Sequence, residues 1–248
     1  MAVRTYRLIA VGLALCVSLA AVQSQAGEEL ITSAHYPDGT EVPYILNTAG
    51  NNPQYIIILF PGGTGDMDPR MVDGKLTYKF GSNFLIRSRQ YIVDDAFATV
   101  ATNSSQSEER IQAILDDLKR RYPNAQVYLM GTSRGTYDTM RLSKYLQDKI
   151  AGVIHTASLD DVATFDARQY KNRQLLVHHR QDACRVTKFG SAEYSHEKYG
   201  SELIAIEGGT SQGDDCQPFA YHGFHGIEVE TVGKIKAWIL QGTAAQKP

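Results

Sequence analysis

The 248-residue sequence is poor in cysteine and tryptophan, with three residues of the first and one of the second. It contains no basic run and no arginine-rich stripe, and its 25 Lys and Arg residues are outnumbered by 27 Asp and Glu. This charge pattern argues against a nucleic-acid partner. Internal repeats and long low-complexity tracts are also missing, so the sequence favours an ordinary globular fold over a repeat array.

One long apolar run is present, and it lies at the amino terminus. Arg4 and Arg7 form a basic start, residues 8–22 are almost wholly apolar, and Ser24-Gln25-Ala26 places small residues at a cleavage position. This pattern is typical of a secretory signal peptide over residues 1–26. The apolar run is shorter than the ~20 residues that a membrane-spanning helix needs, which favours a signal peptide over a membrane anchor.

The predicted signal peptide determines which residues form the mature chain and where the protein is expected to act. Taking 26 residues from 248 leaves 222, enough for one hydrophobic core, and we predict a single domain over residues 27–248. Lys and Arg then number 23 against 27 Asp and Glu, a net charge of about −4 with neutral histidines. We expect an exported protein of the periplasm or the cell exterior, with no stable membrane insertion after the signal is removed.

Cysteine usage agrees with export. Leu15 precedes Cys16 where a lipoprotein signal would carry a small residue, so Cys16 is expected to leave with the signal peptide. Cys184 and Cys216 then remain, and an oxidising compartment allows them to pair. We predict a disulfide between them; the alternative is two free buried thiols.

Apolar patterning predicts strands that alternate with helices. The run Tyr55–Phe60 has no polar interruption, which is typical of a strand covered on both faces. Strands are predicted over residues 30–36, 42–46, 55–60, 97–101, 127–130, 152–156, 174–178 and 203–206. Helices are predicted over residues 82–94, from a Ser105-x-x-Glu108 capping box to Pro123, over residues 136–148 and around Val232 to Ile239. This alternation indicates an α/β fold with a mainly parallel sheet, helices on both faces and ligand sites at the carboxyl ends of the strands.

The segment Gly131-Thr132-Ser133-Arg134-Gly135 joins an apolar strand to a predicted helix. This is the G-x-S-x-G pattern of a nucleophile elbow, in which a sharp, strained turn exposes the serine hydroxyl. The two glycines leave room for the strand and the helix to approach each other. Ser133 is therefore the candidate nucleophile.

A serine nucleophile needs backbone N–H groups aimed at the oxyanion that forms during acyl transfer. The glycine-rich segment Pro61–Gly65 directly follows an apolar strand and is the candidate oxyanion loop. The predicted donors are the N–H of Gly63 and the N–H of Arg134, with Thr64 as the alternative to Gly63. An ordinary glycine-rich turn is the competing interpretation, and a phosphate-binding loop is disfavoured because no Gly-Lys-Ser/Thr follows.

The serine also needs a base and an orienting acid. In hydrolases that carry a G-x-S-x-G elbow, the acid and then the histidine follow the serine along the chain. Asp182, in the loop after a predicted strand, is the candidate acid, with Asp160 and Asp161 as rivals after the preceding strand. His222, before the last helix, is the candidate base, with His225 as its rival. Two histidines three residues apart can also indicate a metal site. No third ligand residue lies at a sequence spacing typical of such sites, so no metal is expected.

The predicted disulfide would connect the acid and base loops. Cys184 lies two residues after Asp182, and Cys216 lies six residues before His222. The bond is expected to limit the drift of the acid relative to the base. It is also expected to stabilise the fold by roughly 3–4 kcal/mol on the chain-entropy model.

Taken together, these segments resemble small serine hydrolases of the α/β-hydrolase fold. The resemblance covers about residues 30–240, and it depends on the strand before Pro61, the G-x-S-x-G pentapeptide and the two loops that follow. It implies that Ser133 is the nucleophile, Asp182 the acid and His222 the base of an acyl-enzyme mechanism without a cofactor. Pro61 is a departure, because many relatives carry histidine before the glycines; it bears on the oxyanion donor rather than on the reaction class.

The substrate signals favour a small or water-soluble acyl substrate, most simply an ester. Many relatives carry a lid of helices between late strands, whereas here only the polar segment 160–173 separates two predicted strands, so an open site is expected. Arg134 puts a guanidinium next to the nucleophile, which either attracts a substrate carboxylate or faces solvent. The competing classes are a catalytically inactive binding protein with a hydrolase shell and an acyltransferase, which would share the acyl-enzyme.

Overall fold

The computed structural model describes residues 27–245, with side chains to residue 242, so the predicted signal peptide over residues 1–26 lies outside the described residues. One sheet contains β1 Glu28–His35, β2 Glu41–Thr48, β3 Tyr55–Phe60, β6 Phe97–Ala101, β7 Gln126–Ser133, β8 Gly152–Ser158, β9 Arg173–His179 and β10 Glu202–Ile206. A separate hairpin consists of β4 Arg70–Val72 and β5 Lys75–Thr77. The helices are α1 Phe84–Ile92, α2 Glu108–Arg121, α3 Gly135–Leu146, α4 Phe189–Tyr199 and α5 Glu228–Ala245. None of these described helices is long and apolar enough to cross a membrane.

The main sheet has the strand order β1-β2-β6-β3-β7-β8-β9-β10. Strand β2 pairs antiparallel with both of its neighbours, β1 and β6. From β6 to β10 every pairing is parallel. The carboxyl ends of the parallel strands therefore meet at one edge of the sheet, which is where ligands bind in open α/β folds.

Strand β3 lies inside the sheet and is buried along its whole length. Ile56 and Ile58 face a core shared with α2 and α3, whereas Ile57 and Leu59 face a second core shared with α1 and α5. A strand covered on both faces has no solvent side, which is why its sequence is apolar without alternation. The predicted α/β class, with a mainly parallel sheet and helices on both faces, is confirmed.

All the predicted strands are present, but two other elements are missing from the sequence prediction. The hairpin β4–β5 has three residues in each strand and is largely exposed. Its strands are too short for an alternating apolar pattern to be recognised in the sequence. Helix α4 buries only Ala192 and Ser195 among its 11 residues, so it lacks the broad apolar stripe that indicates a helix.

The start of α2 also differs from the prediction, and the proposed capping box is wrong. Glu108 is the first helical residue, and Ser107 is the N-cap, its hydroxyl accepting from the N–H of Arg110 at 3.2 Å. Ser105 instead accepts a hydrogen bond from the N–H of Ser107 at 3.1 Å, in the turn that precedes the helix. Serines at both positions suit a cap, so this pattern does not by itself fix the first residue of the helix.

Candidate active site

Ser133 lies at the turn between β7 and α3 with a left-handed backbone. Its φ angle is 51°, a value that residues other than glycine rarely adopt. A Cβ added at Gly135 would lie 2.2 Å from the carbonyl oxygen of Phe60, and one at Gly131 would lie 2.4 Å from that of Gly135. Side chains are therefore excluded at both glycines, and the turn has the geometry that the G-x-S-x-G pattern predicts.

The segment Pro61–Gly65 packs directly against the serine. A Cβ added at Gly62 would lie 2.9 Å from the Cβ of Ser133. Among the described residues, neither the N–H of Gly63 nor that of Arg134 has a backbone hydrogen-bond partner. Both groups are thus available to a ligand, as the donors of an oxyanion hole must be.

A cavity of about 360 Å³ opens over Ser133 and also contains His222 and Gly63 in its wall. The other side chains of this wall are uncharged: Phe80, Phe84 and Pro218 are apolar, Ser82, Asn83, Thr132 and Gln217 are polar, and Cys216 is in a disulfide. Arg134 is exposed and does not line the cavity, which favours the interpretation that its guanidinium faces solvent. Thr64, the alternative oxyanion donor, does not line the cavity either.

Asp182 and His222 are brought together from loops 40 residues apart in sequence. Asp182 follows β9, and His222 belongs to the short helical turn Tyr221–Gly223. Nδ1 of His222 lies 3.0 Å from Oδ2 of Asp182, and both side chains are buried. A carboxylate at Nδ1 favours the tautomer in which Nε2 is free to accept a proton.

The serine and the histidine share the cavity without a direct hydrogen bond. In the part of the chain that the structure describes, the hydrogen bonds of the imidazole go to Asp182 and Thr187, and none goes to Ser133. Contacts between a nucleophile and its base are often long in an unliganded site and shorten when a substrate binds. The arrangement therefore permits proton transfer between the two side chains once a ligand is bound.

Two further side chains surround Asp182, and sequence reasoning misses both. Thr187 donates its hydroxyl to Oδ2 of Asp182 at 3.0 Å and lies 3.0 Å from Nδ1 of His222. Nε2 of His178 lies 3.4 Å from the same carboxylate oxygen and 2.8 Å from the carbonyl oxygen of Thr187. In the sequence His178 is interpreted only as the end of a strand, and a threonine in a loop carries no signal of its own.

These contacts keep the buried carboxyl of Asp182 ionised. Burial alone would raise its pKa, but the hydrogen bonds and charges of His178 and His222 outweigh burial and hold the pKa well below its usual range. The N–H of Cys184 adds a further hydrogen bond to Oδ1 at 2.9 Å. A carboxylate that keeps its charge stabilises the imidazolium that forms when the base takes a proton.

The rival acids and the rival base have other partners. Asp160 caps the first turn of α4 through two hydrogen bonds of 2.8 Å, and Asp161 accepts one from the hydroxyl of Tyr137 at 3.2 Å. Nδ1 of His225 lies 3.0 Å from the hydroxyl oxygen of Thr210. Within residues 27–245, no group of three or more His, Cys, Asp or Glu side chains is placed to hold a metal ion.

The disulfide predicted between Cys184 and Cys216 is present. The N–H of Cys184 donates to the carboxylate of Asp182, and Cys216 lines the cavity at the start of the segment that leads to His222. The bond therefore ties the loop of Asp182 to the segment that leads to His222, across a sequence separation of 32.

Replacement of both cysteines by serine is expected to lower the free energy of unfolding by roughly 3–4 kcal/mol, because the cross-link no longer constrains the unfolded chain. Urea denaturation measures the effect. Wild-type protein in a reducing agent is the control and should approach the double variant; an unchanged free energy of unfolding would contradict the prediction.

A buried carboxyl also lies behind the nucleophile turn. Asp138, in the first turn of α3, has Ser104 and Gln106 as its polar neighbours. Burial raises the pKa of Asp138 to about 6, and the interactions with those two polar side chains oppose only part of the shift. Ser104 also donates its hydroxyl to the carbonyl oxygen of Pro61 at 2.5 Å, so this polar group supports the glycine-rich loop.

Asp138→Asn is expected to stabilise the protein near neutral pH but not in acid. Folding raises the pKa of this carboxyl from 3.8 to about 6, so the stability of the wild-type protein falls as the pH rises through that interval. The penalty above pH 6 is on the order of 2–3 kcal/mol, and an amide, which does not titrate, avoids it. Thermal unfolding of both proteins at pH 3.5, 5 and 7.5 tests the prediction, and equal stability at pH 7.5 would refute it.

Comparison with known proteins characterises the fold. A scan against protein-family models finds no match, and no curated protein matches the sequence. Among solved structures, Est1E from Butyrivibrio proteoclasticus has a TM-score of 0.61 at 15% identity, covering 86% of this chain and 99% of that chain. An esterase domain from Rhodothermus marinus has a TM-score of 0.58 at 9% identity, with coverages of 85% and 97%. A serine hydrolase without a lid from Xanthomonas campestris has a TM-score of 0.53 at 12% identity, with coverages of 84% and 94%.

These likenesses extend over most of each chain compared. They show that the chain has the α/β-hydrolase fold, as the sequence resemblance implies. At such low sequence identities they establish the fold alone, and the activity has to be argued from the site.

Proposed function

We propose that the protein is a serine hydrolase that cleaves an ester of a small or water-soluble substrate. The observation that carries this proposal is a strained serine, Ser133, in one cavity with His222, whose Nδ1 is hydrogen-bonded to the buried carboxylate of Asp182. Side chains of these three types, in this chain order after a nucleophile elbow, form the catalytic triad of α/β-hydrolases. The esterase and the serine hydrolase among the similar structures support the reaction class.

The proposed reaction proceeds through an acyl-enzyme. His222 takes the proton of Ser133 as the hydroxyl oxygen attacks the acyl carbonyl carbon. The N–H groups of Gly63 and Arg134 donate to the oxygen that becomes negatively charged, and Asp182 stabilises the imidazolium. The alcohol leaves with the proton held by His222. Water then attacks the acyl-enzyme, which releases the carboxylic acid and restores the serine.

The cavity favours an uncharged ester of modest size. Its volume is about 360 Å³, and its wall carries no Asp, Glu, Lys or Arg side chain. The segment between β8 and β9 contains two short 3₁₀ turns, Asp160–Thr164 and Ala167–Gln169, in place of a helical lid. A site without such a cover suits soluble substrates better than long acyl chains at a lipid interface.

We also propose that the protein acts outside the cytoplasm, in the periplasm or beyond it, as one domain over residues 27–248. The disulfide between Cys184 and Cys216 supports export, because such bonds persist in oxidising compartments. The disulfide also supports a single domain, since it joins the two loops that carry the acid and the base.

The proposal is tested by labelling the oxidised mature protein with a fluorophosphonate and mapping the modified peptide by mass spectrometry. Such a reagent reacts with a serine that has a working base and oxyanion hole. The expected result is a single label on Ser133 that disappears in His222→Ala. His225→Ala is the matched control, because it removes a nearby imidazole outside the hydrogen-bonded pair, and it should retain the label.

Two outcomes would count against this assignment. A label that survives in His222→Ala and is lost in His225→Ala would move the role of base to His225. A folded wild-type protein that takes no label would reject the serine hydrolase and favour a binding protein that keeps the hydrolase shell.

A further inference from the structure

Arg87, on α1, joins two segments of the cavity wall from behind. Its Nη1 donates to the carbonyl oxygen of Ser82 at 2.6 Å, and its Nη2 donates to the carbonyl oxygen of Gly223 at 2.5 Å. Ser82 and Gly223 both line the cavity, whereas Arg87 itself does not. The guanidinium therefore holds the segment before α1 against the loop that carries the base.

The guanidinium is itself held firmly in this position. Its Nε and Nη2 both donate to Oε1 of Glu228, at 3.1 and 2.9 Å, and the two side chains are only 16% and 17% exposed. Its central carbon lies 5.9 Å from the ring centroid of Phe84 and 5.6 Å from that of Phe219. An ion pair with this burial and several hydrogen bonds has one preferred geometry, unlike a pair on the surface.

The contact with Gly223 bears directly on the proposed base. Gly223 follows His222 in the same helical turn, and the ring of Phe224 packs on Phe84 of α1 with centroids 4.6 Å apart. The disulfide at Cys216 holds the amino-terminal side of this loop. Arg87 holds its carboxyl-terminal side, so the backbone that carries the imidazole is fixed on both sides.

We propose that Arg87 is a positioning residue. It holds the imidazole of His222 in its position relative to the hydroxyl of Ser133, and it fixes the position of Ser82 in the cavity wall. The inference rests on the proposed hydrolase function and adds a residue that acts through the backbone rather than on the substrate. Lysine cannot replace it, because a single ammonium group lacks the planar fork that reaches two carbonyl oxygens and a carboxylate together.

The matched pair of variants is Arg87→Lys and Arg89→Lys. Arg89 lies two residues further along α1 and is also buried, with an ion pair of 2.6 Å to Glu29, but it does not line or touch the cavity wall. Both variants keep the charge and remove a buried guanidinium fork. Any loss common to both reports general destabilisation, and any loss confined to Arg87→Lys reports positioning.

The measurement is kcat and KM for a soluble ester, with active sites counted by fluorophosphonate titration so that unfolded protein does not contribute. Arg87→Lys is expected to lower kcat per titrated site by about 10- to 100-fold with a smaller change in KM. Arg89→Lys is expected to stay within about 2-fold of the wild-type kcat. Glu228→Gln, which loosens the guanidinium without removing it, should show a smaller fall of the same kind and serves if Arg87→Lys does not fold.

The outcomes separate this inference from the function on which it rests. A wild-type protein without label and without ester turnover would overturn both. An active wild-type protein with an unchanged kcat in Arg87→Lys, or in Glu228→Gln where the lysine variant does not fold, would overturn the role of Arg87 alone. Equal losses in Arg87→Lys and Arg89→Lys would do the same.

Discussion

Ser133→Ala is expected to abolish ester turnover while the protein remains folded. Without the nucleophilic hydroxyl, kcat falls by roughly 10⁴- to 10⁶-fold, because the oxyanion donors and substrate binding supply only a residual acceleration. Steady-state hydrolysis of a soluble nitrophenyl ester measures the loss, and circular dichroism with a thermal melt checks the fold. Full activity in this variant would show that Ser133 is not the nucleophile.

Ser133→Gly is the control that separates chemistry from backbone strain. Both variants lack the hydroxyl, but only glycine adopts a φ angle of 51° without steric penalty. The glycine variant is therefore expected to be equally inactive and more stable than the alanine variant by about 1 kcal/mol, after the greater freedom of glycine in the unfolded chain is included. Equal stability of the two variants would contradict the prediction, because the strain relieved would then be no larger than the entropic cost of glycine in the unfolded chain.

Asp182→Asn is expected to lower kcat by roughly 10³- to 10⁴-fold with little change in KM. The amide can turn its NH₂ group toward Nδ1 of His222, which moves the imidazole proton to Nε2 and blocks acceptance of the serine proton. The isosteric change preserves the volume of the side chain in its buried position. Kinetics at saturating ester concentration, on protein checked for folding by its thermal melt, measures the effect.

Asp160→Asn is the matched control for this prediction. Asp160 is the rival acid from the end of the neighbouring strand, and its carboxylate caps α4. The amide Oδ1 of asparagine can still accept both hydrogen bonds, so the variant is expected to keep its free energy of unfolding within about 1 kcal/mol of the wild type and its kcat near the wild-type value. A large fall in kcat in Asp160→Asn, together with an active Asp182→Asn, would transfer the role of the acid to Asp160.

The carboxyl group of Asp182 gives the wild-type protein and Asp182→Asn a different dependence of stability on pH. Because His178 and His222 hold the pKa of Asp182 below the unfolded value of 3.8, the ionised group stabilises the fold above that pH. This contribution is lost as the pH falls through the folded pKa. The stability difference between wild type and Asp182→Asn should therefore be constant above about pH 5 and should narrow below pH 4.

Local sequence patterns predicted the framework well, for physical reasons that particular elements show. The uninterrupted apolar run Tyr55–Phe60 indicates a strand covered on both faces, and β3 is such a strand. The glycines on either side of Ser133 indicate a turn with no room for side chains, and added Cβ atoms there would clash. In each case the signal comes from neighbouring residues, because periodicity and turn chemistry operate over a few positions.

The same reasoning failed where the local sequence pattern was weak or where two residues fitted the same role equally well. Helix α4 has no apolar stripe, because it buries only Ala192 and Ser195 among its 11 residues and both are small. The hairpin β4–β5 is too short to alternate. Ser105 and Ser107 both suit an N-cap, and the structure shows that Ser107 takes this role.

The sequence by itself determined the class of fold and the short set of side chains from which a hydrolase site could be built, and it predicted the disulfide between Cys184 and Cys216 with two free thiols as the alternative. It left three candidates for the acid, Asp182, Asp160 and Asp161. It also left two candidates for the base, His222 and His225. Only the tertiary structure brought Asp182 to His222, added Thr187 and His178 around the carboxylate and put Arg87 behind Gly223. The reason is physical: the contact between Arg87 and Gly223, 136 residues apart, depends on how α1 packs against the loop that carries His222, and no pattern within a few residues encodes that packing.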